Sequence, residues 1–349
     1  MLDFLIIGQG LAGSLLSYSL IKRGSSVMVL DEGAPYNSSS IAGGVYNPVT
    51  GRRLTKSWNI DLFQPIAKNI YQSLEQLLQE DFFEEKTILR IIASQEEYAL
   101  LKKRKEETED NYLGACIDQI NEQGINQANG YCEIRGGGKV NTGLFLKKYR
   151  DYLIENNAYQ RETFDYSILD IELDGTVIYK DFKAKTVIFS EGYKAAKLNP
   201  YFNYLPFNLV KGEILNVSIP GLTQRYIYGK SMLLTPMGGS YFKAGGTYDW
   251  GDLSEELTEE GKEELITKIE DIISVPYTIV SHEAGVRPAT KDRRPFLGRH
   301  PQYPSIAIFN GMGTKGVLLA PALAENFAEY LLGQGNIIEG ANIDRFNKK

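Results

Sequence analysis

The apolar residues at the start of the chain predict an alternation of strands and a helix. Residues 3–7 form an apolar run typical of a buried strand, and residues 11–23 have the apolar spacing of a helix that ends at Gly24. A second apolar run at 26–30 predicts another strand. This strand–helix–strand order predicts a parallel sheet with a right-handed crossover.

Farther along, the pattern indicates elements of both kinds. Apolar residues at helical spacing predict helices at about 61–80, 142–156, 254–273 and 317–332. Runs of β-branched residues predict strands at 185–190 and 305–309. Between 206 and 250, short strand-like runs alternate with Gly and Pro, which indicates an antiparallel sheet.

Composition and charge narrow the classes of protein. The net charge of −6 gives no global attraction to nucleic acid, so a nucleic-acid partner is disfavoured, although a local basic patch would still permit one. The sequence contains no run of about 18 apolar residues, so no membrane span is predicted. Only two cysteines, Cys116 and Cys132, and two histidines, His282 and His300, are present. We therefore expect no disulfide framework, no metal site and a cytoplasmic location. The composition does not set an oligomeric state.

The segment from Gly8 to Gly13 reads Gly-Gln-Gly-Leu-Ala-Gly and lies between the first strand and the first helix. In that context Gly8 permits a tight turn, Gly10 lets a pyrophosphate approach the backbone, and Gly13 lets the helix pack closely on the sheet. The N–H groups at the start of the helix then face the phosphates. Asp31, at the end of the second strand, is placed to bind both hydroxyls of an adenosine ribose. The turn predicts a dinucleotide, but it does not distinguish FAD from NAD.

Five further segments carry more specific motifs. They are 38–45 (Ser-Ser-Ser-Ile-Ala-Gly-Gly-Val), 187–192 (Val-Ile-Phe-Ser-Glu-Gly), 210–213 (Val-Lys-Gly-Glu), 285–299 (Gly-Val-Arg-Pro-Ala-Thr-Lys-Asp-Arg-Arg-Pro-Phe-Leu-Gly-Arg) and 311–321 (Gly-Met-Gly-Thr-Lys-Gly-Val-Leu-Leu-Ala-Pro). In this order they resemble the D-amino-acid oxidase superfamily of FAD-dependent oxidoreductases, and within it the glycine oxidase and sarcosine oxidase branch. The resemblance extends from residue 3 to about 333.

This resemblance, together with the strand pattern, predicts a mixed α/β fold. A Rossmann-like FAD-binding domain is expected from residues 1–80, 136–205 and 284–349. An antiparallel-sheet substrate domain is expected from residues 81–135 and 206–283. Sarcosine oxidases link their flavin to a cysteine near the C-terminus, and no cysteine follows Cys132 in this chain. The resemblance therefore implies noncovalently bound FAD.

The resemblance also implies which residues contact FAD. The expected set is Gly8, Gly10, Leu11, Ala12, Gly13, Asp31, Glu32, Ala42, Gly43, Gly44, Val45, Ile168, Ser190, Glu191, Gly192, Arg287, Gly313, Thr314, Lys315, Gly316 and Val317. The N–H groups from Gly313 to Val317 begin a helix and could stabilise negative charge on the flavin ring.

Three residues are candidates for the chemistry. Arg287 matches the arginine that binds the substrate carboxylate in amino-acid oxidases; otherwise it would form a buried ion pair with Asp292 or Glu283. Lys243 matches a lysine that promotes the reaction with oxygen in sarcosine oxidases, or it is an outward-facing strand lysine. Tyr228 matches an active-site tyrosine of glycine oxidase, or it is a core tyrosine.

Two positions depart from the pattern of glycine oxidase. Thr314 stands where that enzyme has a second arginine, so a second carboxylate contact is lost unless Lys315 replaces it. Leu233 stands where it has a second tyrosine. Both histidines are read as structural.

The leading hypothesis is an enzyme that oxidises the C–N bond of a small carboxylated amine or amino acid by hydride transfer to flavin N5. Segment 47–56 and residues 246–249 also resemble the oxidase module of the bifunctional enzyme that matures wobble uridines in tRNA, so an N-substituted glycine on RNA is an alternative, with Arg52, Arg53 and Lys56 as a basic rim. The substrate could also be a hydroxy acid or a polyol phosphate, and the chain could be a flavin-binding protein without catalysis.

Overall fold

The computed structural model describes residues 1–34, 36–51, 54–107 and 111–346. The strands are β1 (Leu2–Ile7), β2 (Val27–Asp31), β3 (Val45–Tyr46), β4 (Val49–Thr50), β5 (Thr55–Lys56), β6 (Phe83–Glu85), β7 (Ile88–Ile91), β8 (Leu113–Ile117), β9 (Tyr131–Ile134), β10 (Gly138–Val140), β11 (Tyr159–Arg161), β12 (Asp170–Ile171), β13 (Val177–Tyr179), β14 (Phe182–Phe189), β15 (Val210–Ser218), β16 (Ile227–Gly229), β17 (Leu233–Gly238), β18 (Tyr241–Gly245), β19 (Thr278–Arg287), β20 (Phe296–Arg299) and β21 (Ile306–Asn310). The helices are α1 (Leu11–Lys22), α2 (Ile60–Leu78), α3 (Gln95–Glu107), α4 (Thr142–Glu155), α5 (Lys194–Leu198), α6 (Glu259–Glu270) and α7 (Gly316–Leu331), with 3₁₀ turns at Tyr166–Ile168, Gly313–Lys315 and Ile343–Phe346.

The first large sheet has β1 at its centre and the order β11-β2-β1-β14-β13-β12, with β21 also paired to β14 and β20 to β21. The pairs β1–β2, β1–β14, β2–β11 and β14–β21 are parallel. Alternate residues of β1 enter different cores, because Phe4 and Ile6 pack with α1 and α7 whereas Leu5 and Ile7 pack with aromatic residues on the opposite face. Burial on both faces explains the continuous apolar run, and the predicted βαβ opening is confirmed.

The second large sheet has the order β19-β15-β18-β17-β16-β7-β9-β8. Its pairs are antiparallel except for β7 and β16, and α6 packs against it with a separate apolar core. The strand β19 pairs with β15 as far as Arg287. The predicted domain boundary at 283/284 therefore falls inside a strand of this sheet, because no local sequence signal marks where that pairing ends.

The expectation of no disulfide framework missed a pairing of the two cysteines. Cys116 on β8 and Cys132 on β9 form a disulfide, with 4.1 Å between their Cα atoms. Antiparallel pairing places the two residues directly opposite each other, which their separation of 16 residues could not reveal. Within the described ranges, no helix is long and apolar enough to cross a membrane.

Candidate active site

A cleft runs between the two large sheets. One wall consists of segments that follow the carboxyl ends of β1, β14 and β21, and the other consists of β15, β18 and β19. Ligands of open α/β sheets bind at this edge, where the loops after neighbouring parallel strands meet. The fold thus brings the glycine turn and Arg287 into one continuous cleft.

The glycine turn after β1 is as compact as its sequence predicts. Gly8 has φ of +102°, a conformation that favours glycine, and a Cβ atom on Gly13 would lie 1.9 Å from the carbonyl oxygen of Gly8. Gly10 is the N-cap residue of α1 and has no side chain to cap the helix. The N–H of Leu11 donates to Ser39 Oγ at 3.2 Å. The other first-turn N–H groups of α1 are available to an anion in the cleft.

The acidic residues after β2 shape the adjoining part of the cleft. The Asp31 carboxylate accepts hydrogen bonds from the N–H groups of Gln9 (2.7 Å) and Gly33 (2.8 Å). It therefore fixes the glycine turn while retaining lone pairs that face the cleft. Glu32 also lines the cleft and pairs with Lys194 on α5.

Two buried hydroxyl groups on the cleft wall have no hydrogen-bond partner within the described part of the chain. They are Ser190 Oγ, just after β14, and Thr142 Oγ1, at the start of α4. Buried polar groups are almost always satisfied, so these two hydroxyls indicate a polar ligand. The N-terminus of α7 adds a further set of N–H groups, since it too lacks a side-chain cap.

Arg287 ends β19 and lines the wall of the cleft that β15, β18 and β19 form. Its guanidinium lies across two glycines: a Cβ atom on Gly212 would meet Nη2 at 2.0 Å, and one on Gly246 would meet it at 2.5 Å. Nη1 donates to the carbonyl oxygens of Lys211 (3.3 Å) and Thr247 (3.0 Å). These contacts fix the plane of the guanidinium and leave Nη2 and Nε for a ligand.

The acidic residues that could neutralise Arg287 are engaged elsewhere. Asp292 pairs with Arg345 at 2.8 Å, and Glu283 accepts a hydrogen bond from Asn216 at 2.8 Å. The alternative of a buried ion pair with either residue is therefore wrong. Burial lowers the pKa of Arg287, although an arginine stays charged at neutral pH. A partly buried cation that has no acidic partner among the described residues is suited to a carboxylate ligand.

Comparison with known proteins decides what kind of dinucleotide the cleft holds. The model of the FAD-dependent oxidoreductase family, DAO, matches residues 3–330. The chain belongs to this family. It is also similar to glycine oxidase of Bacillus licheniformis, with 25% identity over 95% of this chain and 93% of that one. The structure of glycine oxidase from Bacillus cereus superposes with a TM-score of 0.81 at 20% identity, covering 97% and 99% of the two chains.

A third relative is longer than this chain. The tRNA 5-methylaminomethyl-2-thiouridine biosynthesis bifunctional protein of Leptospira borgpetersenii is 24% identical over 96% of this chain and 58% of its own length. This DAO-family chain therefore matches only part of that bifunctional protein.

The residues of the cleft fit FAD. Gly8 and Gly10 leave room at the turn, the helices α1 and α7 present N–H groups, and Ser190 and Thr142 offer unpaired hydroxyls. Most of the expected contact residues line the cleft, namely Gly8, Gly10, Leu11, Ala12, Asp31, Glu32, Ala42, Gly43, Gly44, Val45, Ser190, Glu191, Gly192, Arg287, Gly313, Thr314, Gly316 and Val317. Gly13 lies behind the turn, where it packs against Gly8.

Two expected site residues point elsewhere. Lys315 turns away from the cleft and hydrogen-bonds Thr50 (3.4 Å) and Ser57 (3.3 Å), so it does not supply the second carboxylate contact. Ile168 is 43% exposed at the end of a 3₁₀ turn, and Tyr166 from the same turn lines the cleft instead. The sequence could not show which side of so short a turn faces inward.

Tyr228 also lies away from the cleft. Its side chain is fully buried in the core of the second sheet, and its hydroxyl contacts Thr223 (2.9 Å) and Glu122 (3.3 Å). The pairing of β16 with both β7 and β17 buries the ring on the α6 side of the sheet. The reading of Tyr228 as a core tyrosine is the one that the fold supports.

Both histidines lie against other residues of the protein. His282 Nε2 lies 2.7 Å from a Glu213 carboxylate oxygen but outside hydrogen-bonding geometry. His300 Nδ1 accepts hydrogen bonds from the N–H groups of Gln302 and Tyr303. Burial lowers the pKa of His300. Within the described residues no cluster of His, Cys, Asp and Glu could hold a metal ion.

Lys243 faces the cleft from β18, so the alternative of an outward-facing lysine is wrong. Its ammonium donates to the carbonyl oxygens of Ile41 (3.0 Å) and Ala42 (3.2 Å), and burial lowers its pKa. The side chain thereby fixes the loop before β3 and places a cation beside it.

We expect Lys243→Met to slow the reaction of the reduced holoprotein with oxygen by about 10²-fold, the typical effect of removing one electrostatic stabiliser. The measurement is the rate of flavin reoxidation after mixing with oxygenated buffer. The anaerobic rate of reduction by substrate serves as the control, and it should change far less. An unchanged reoxidation rate would show that Lys243 has no such role.

Glu191 introduces a titratable group into the cleft. Burial raises its pKa from the ordinary 4.5 to about 7, against the opposing effect of hydrogen bonds from Tyr166 and Asn199. Between pH 4.5 and 7 the folded protein therefore holds a proton that the unfolded chain has lost. The free energy of unfolding should consequently fall as the pH rises through this range, by at most about 3 kcal/mol.

Glu191→Gln should remove this pH dependence, because glutamine mimics the neutral acid. Urea unfolding of the apoprotein at about pH 5 and about pH 8 measures the effect. We expect the wild-type protein to lose more stability than the variant between the two pH values. Equal losses would mean that Glu191 ionises in the folded protein as it does in water.

Sequence reasoning missed several residues of the site. Gly212 and Gly246 accommodate the guanidinium of Arg287, and Tyr248 covers one of its faces, with 4.7 Å from the guanidinium carbon to the ring centroid. Both glycines lie in motifs that the resemblance had singled out. Their role depends on the pairing of β15 with β19, which the motifs alone do not define.

Proposed function

We propose that this protein oxidises the C–N bond of a small carboxylated amine, with Arg287 as the anchor for the carboxylate. The observation that carries the proposal is the guanidinium at the end of β19, which faces the cleft with both candidate acids engaged elsewhere. The similarity to glycine oxidase over nearly the whole chain supports the same class of substrate.

The chemistry follows from the bound cofactor. When bound in the cleft, FAD would supply the acceptor for the hydride that leaves the substrate carbon. The substrate nitrogen loses a proton, and the resulting imine is hydrolysed by water to a carbonyl compound and an amine. Because a neutral amine can lose this proton to solvent after oxidation, no residue of the protein has to act as a base.

The chain's own residues bind and orient the substrate. The fixed plane of Arg287 would bind a carboxylate through two hydrogen bonds and so set the direction of the neighbouring carbon. Apolar side chains on the cleft wall, Ile41, Ile214 and Leu233, would exclude water from the reacting bond. Gly212 and Gly246 allow this arrangement because neither has a side chain to displace the guanidinium.

The competing hypotheses differ in the bond that is oxidised or in the molecule to which the oxidised group is attached. A hydroxy acid could use the same arginine, whereas a polyol phosphate would present a larger anion. For a substrate on RNA, Arg52 and Arg53 lie outside the described residues, and Lys56 pairs with Asp61 at 3.1 Å and does not line the cleft. The cytoplasmic location expected from the sequence stays a prediction.

Product analysis tests the proposal. The FAD-loaded protein is incubated in air with glycine, sarcosine, glycolate or glycerol 3-phosphate. We expect glyoxylate from both amines, with one equivalent of ammonia or methylamine. Product from glycolate or glycerol 3-phosphate alone would mean that the protein oxidises a C–O bond instead of a C–N bond. The absence of product from all four compounds would favour a flavin-binding protein without catalysis.

A further inference from the structure

The guanidinium of Arg287 is held in part by the loop that connects β18 to α6, residues 246–258. The carbonyl oxygen of Thr247 accepts a hydrogen bond from Nη1 at 3.0 Å, and the ring of Tyr248 covers one face of the guanidinium at 4.7 Å. Apart from one β-bridge at Asp249, the loop is irregular. Its position, and with it the orientation of the arginine, therefore depends on contacts with the rest of the protein.

The 246–258 loop is bound by two charged residues of β15. Lys211 is 1% exposed and Glu213 is 3% exposed. The Lys211 ammonium donates to the Asp252 carboxylate at 2.5 Å in the middle of the loop, and Glu213 accepts a hydrogen bond from the Thr258 hydroxyl at 2.7 Å at its end. Near the start of the loop, two backbone hydrogen bonds join Lys211 and Asp249. The strand thus holds the loop at three places.

Lys211 also connects the loop to Arg287. Its carbonyl oxygen accepts a hydrogen bond from Arg287 Nη1 at 3.3 Å, while its ammonium pairs with Asp252. A buried ammonium is costly unless an anion compensates it, and the Glu213 carboxylate lies farther away, at 3.7 Å. Without Asp252 the ammonium would lose its nearer partner, and the loop would lose the attachment at its middle. Arg287 could then turn among several orientations.

We propose that Lys211 and Asp252 are positioning residues, whose ion pair holds the 246–258 loop in the place from which it orients Arg287 toward a substrate carboxylate. The inference rests on the proposed function and adds the residues on which its selectivity for a carboxylate depends. An ion pair with a purely structural role would change the free energy of unfolding and leave the discrimination between a carboxylate and its amide as it was. The two roles therefore predict different kinetics.

Lys211→Met and Asp252→Asn test the proposal because they change the charge in opposite directions. If the pair acted through the electrostatic field, removing the cation would weaken the preference for a carboxylate and removing the anion would strengthen it. Loss of positioning weakens it in both variants. We expect the ratio of kcat/KM for sarcosine to that for sarcosine amide to fall about 10-fold in each, and the double variant to lose no more than either.

The sign of the change in Asp252→Asn is decisive by itself. The side chain of Asp252 is 37% exposed, so this variant should fold even where Lys211→Met proves too unstable to assay. Asp271→Asn is the matched control, because Asp271 pairs with Lys230 at 2.6 Å at the opposite end of α6 from the loop. The control should keep the wild-type ratio.

The fluorescence of Trp250 reports directly on the loop. The chain has two tryptophans, Trp58 and Trp250, so subtracting the emission of the same protein with Trp250→Phe isolates the signal from the loop. The anisotropy of this signal should fall in Asp252→Asn, because the released loop moves faster, and should not change in Asp271→Asn. An unchanged anisotropy in Asp252→Asn would mean that the ion pair does not hold the loop.

Binding of acetate and acetamide separates this proposal from the proposed function, since neither compound has a C–N bond that the protein would oxidise by the proposed reaction. The absorption spectrum of the flavin in the FAD-loaded protein measures both affinities. We expect Asp252→Asn to raise the Kd for acetate about 10-fold and to leave that for acetamide nearly unchanged. A wild-type protein that binds acetate but does not oxidise sarcosine would contradict the proposed function alone. An acetate affinity that Asp252→Asn leaves unchanged or increases would overturn the positioning proposal.

Discussion

Arg287→Met is expected to lower kcat/KM for a carboxylated amine by about 10²- to 10³-fold. The guanidinium is partly buried, and no acidic side chain of the described residues pairs with it, so a substrate carboxylate would gain a desolvated, charge-assisted pair. Removing one partner of such a pair typically costs about 2–5 kcal/mol. Steady-state kinetics on the FAD-loaded variant measure the loss.

The same substitution should leave the fold intact. Methionine removes a desolvated charge, which offsets the loss of hydrogen bonds to Lys211 and Thr247, so the free energy of unfolding should fall by no more than about 1 kcal/mol. Lys291→Met removes a positive charge from an exposed residue of the same segment and serves as the control for the general electrostatic field. If both variants lose activity equally, Arg287 acts through the field rather than by contact.

Gly10→Ala is expected to weaken FAD binding by about 10- to 100-fold without unfolding the protein. Gly10 has φ of −76° and ψ of −170°, which alanine adopts freely, and an added Cβ would meet only Ser39, with its Oγ at 3.2 Å. The new methyl group would occupy the space that the pyrophosphate needs, and overpacking of this kind costs about 1–3 kcal/mol. Titration of the apoprotein with FAD measures the effect.

Two further glycine variants serve as comparisons for Gly10→Ala. Gly13→Ala should lower the thermal midpoint of the apoprotein as well, because its Cβ would clash with the carbonyl oxygen of Gly8. Gly335→Ala, whose Cβ would make only an ordinary contact with Glu329, should change neither property. Wild-type affinity of Gly10→Ala for FAD would mean that the pyrophosphate does not lie at the turn.

The sequence predicted the parts of the fold that depend on local pattern. The run in β1 and the glycines after it are determined by near neighbours, so the βαβ opening and the close approach at Gly13 could be predicted. The β-branched runs that become β14 and β21 likewise indicate burial on both faces. The resemblance of longer segments then identified the family.

What the sequence could not predict depends on strand register. Cys116 meets Cys132, and Arg287 lies over Gly212, only because particular strands pair in a particular alignment. Tyr228 and Lys315 were misplaced for the same reason, since the direction of a side chain in a strand or a short turn changes with a shift of one residue.

Anaerobic reduction of the FAD-loaded protein by sarcosine and by sarcosine amide tests carboxylate binding by Arg287 most directly. The two compounds share the C–N bond and differ in the charge of the group that Arg287 would bind. We predict that sarcosine bleaches the flavin at a rate at least about 10²-fold higher than the amide at low substrate concentration, and that Arg287→Met abolishes this difference. Equal rates for the two compounds in the wild-type protein, or bleaching by neither, would contradict the role assigned to Arg287.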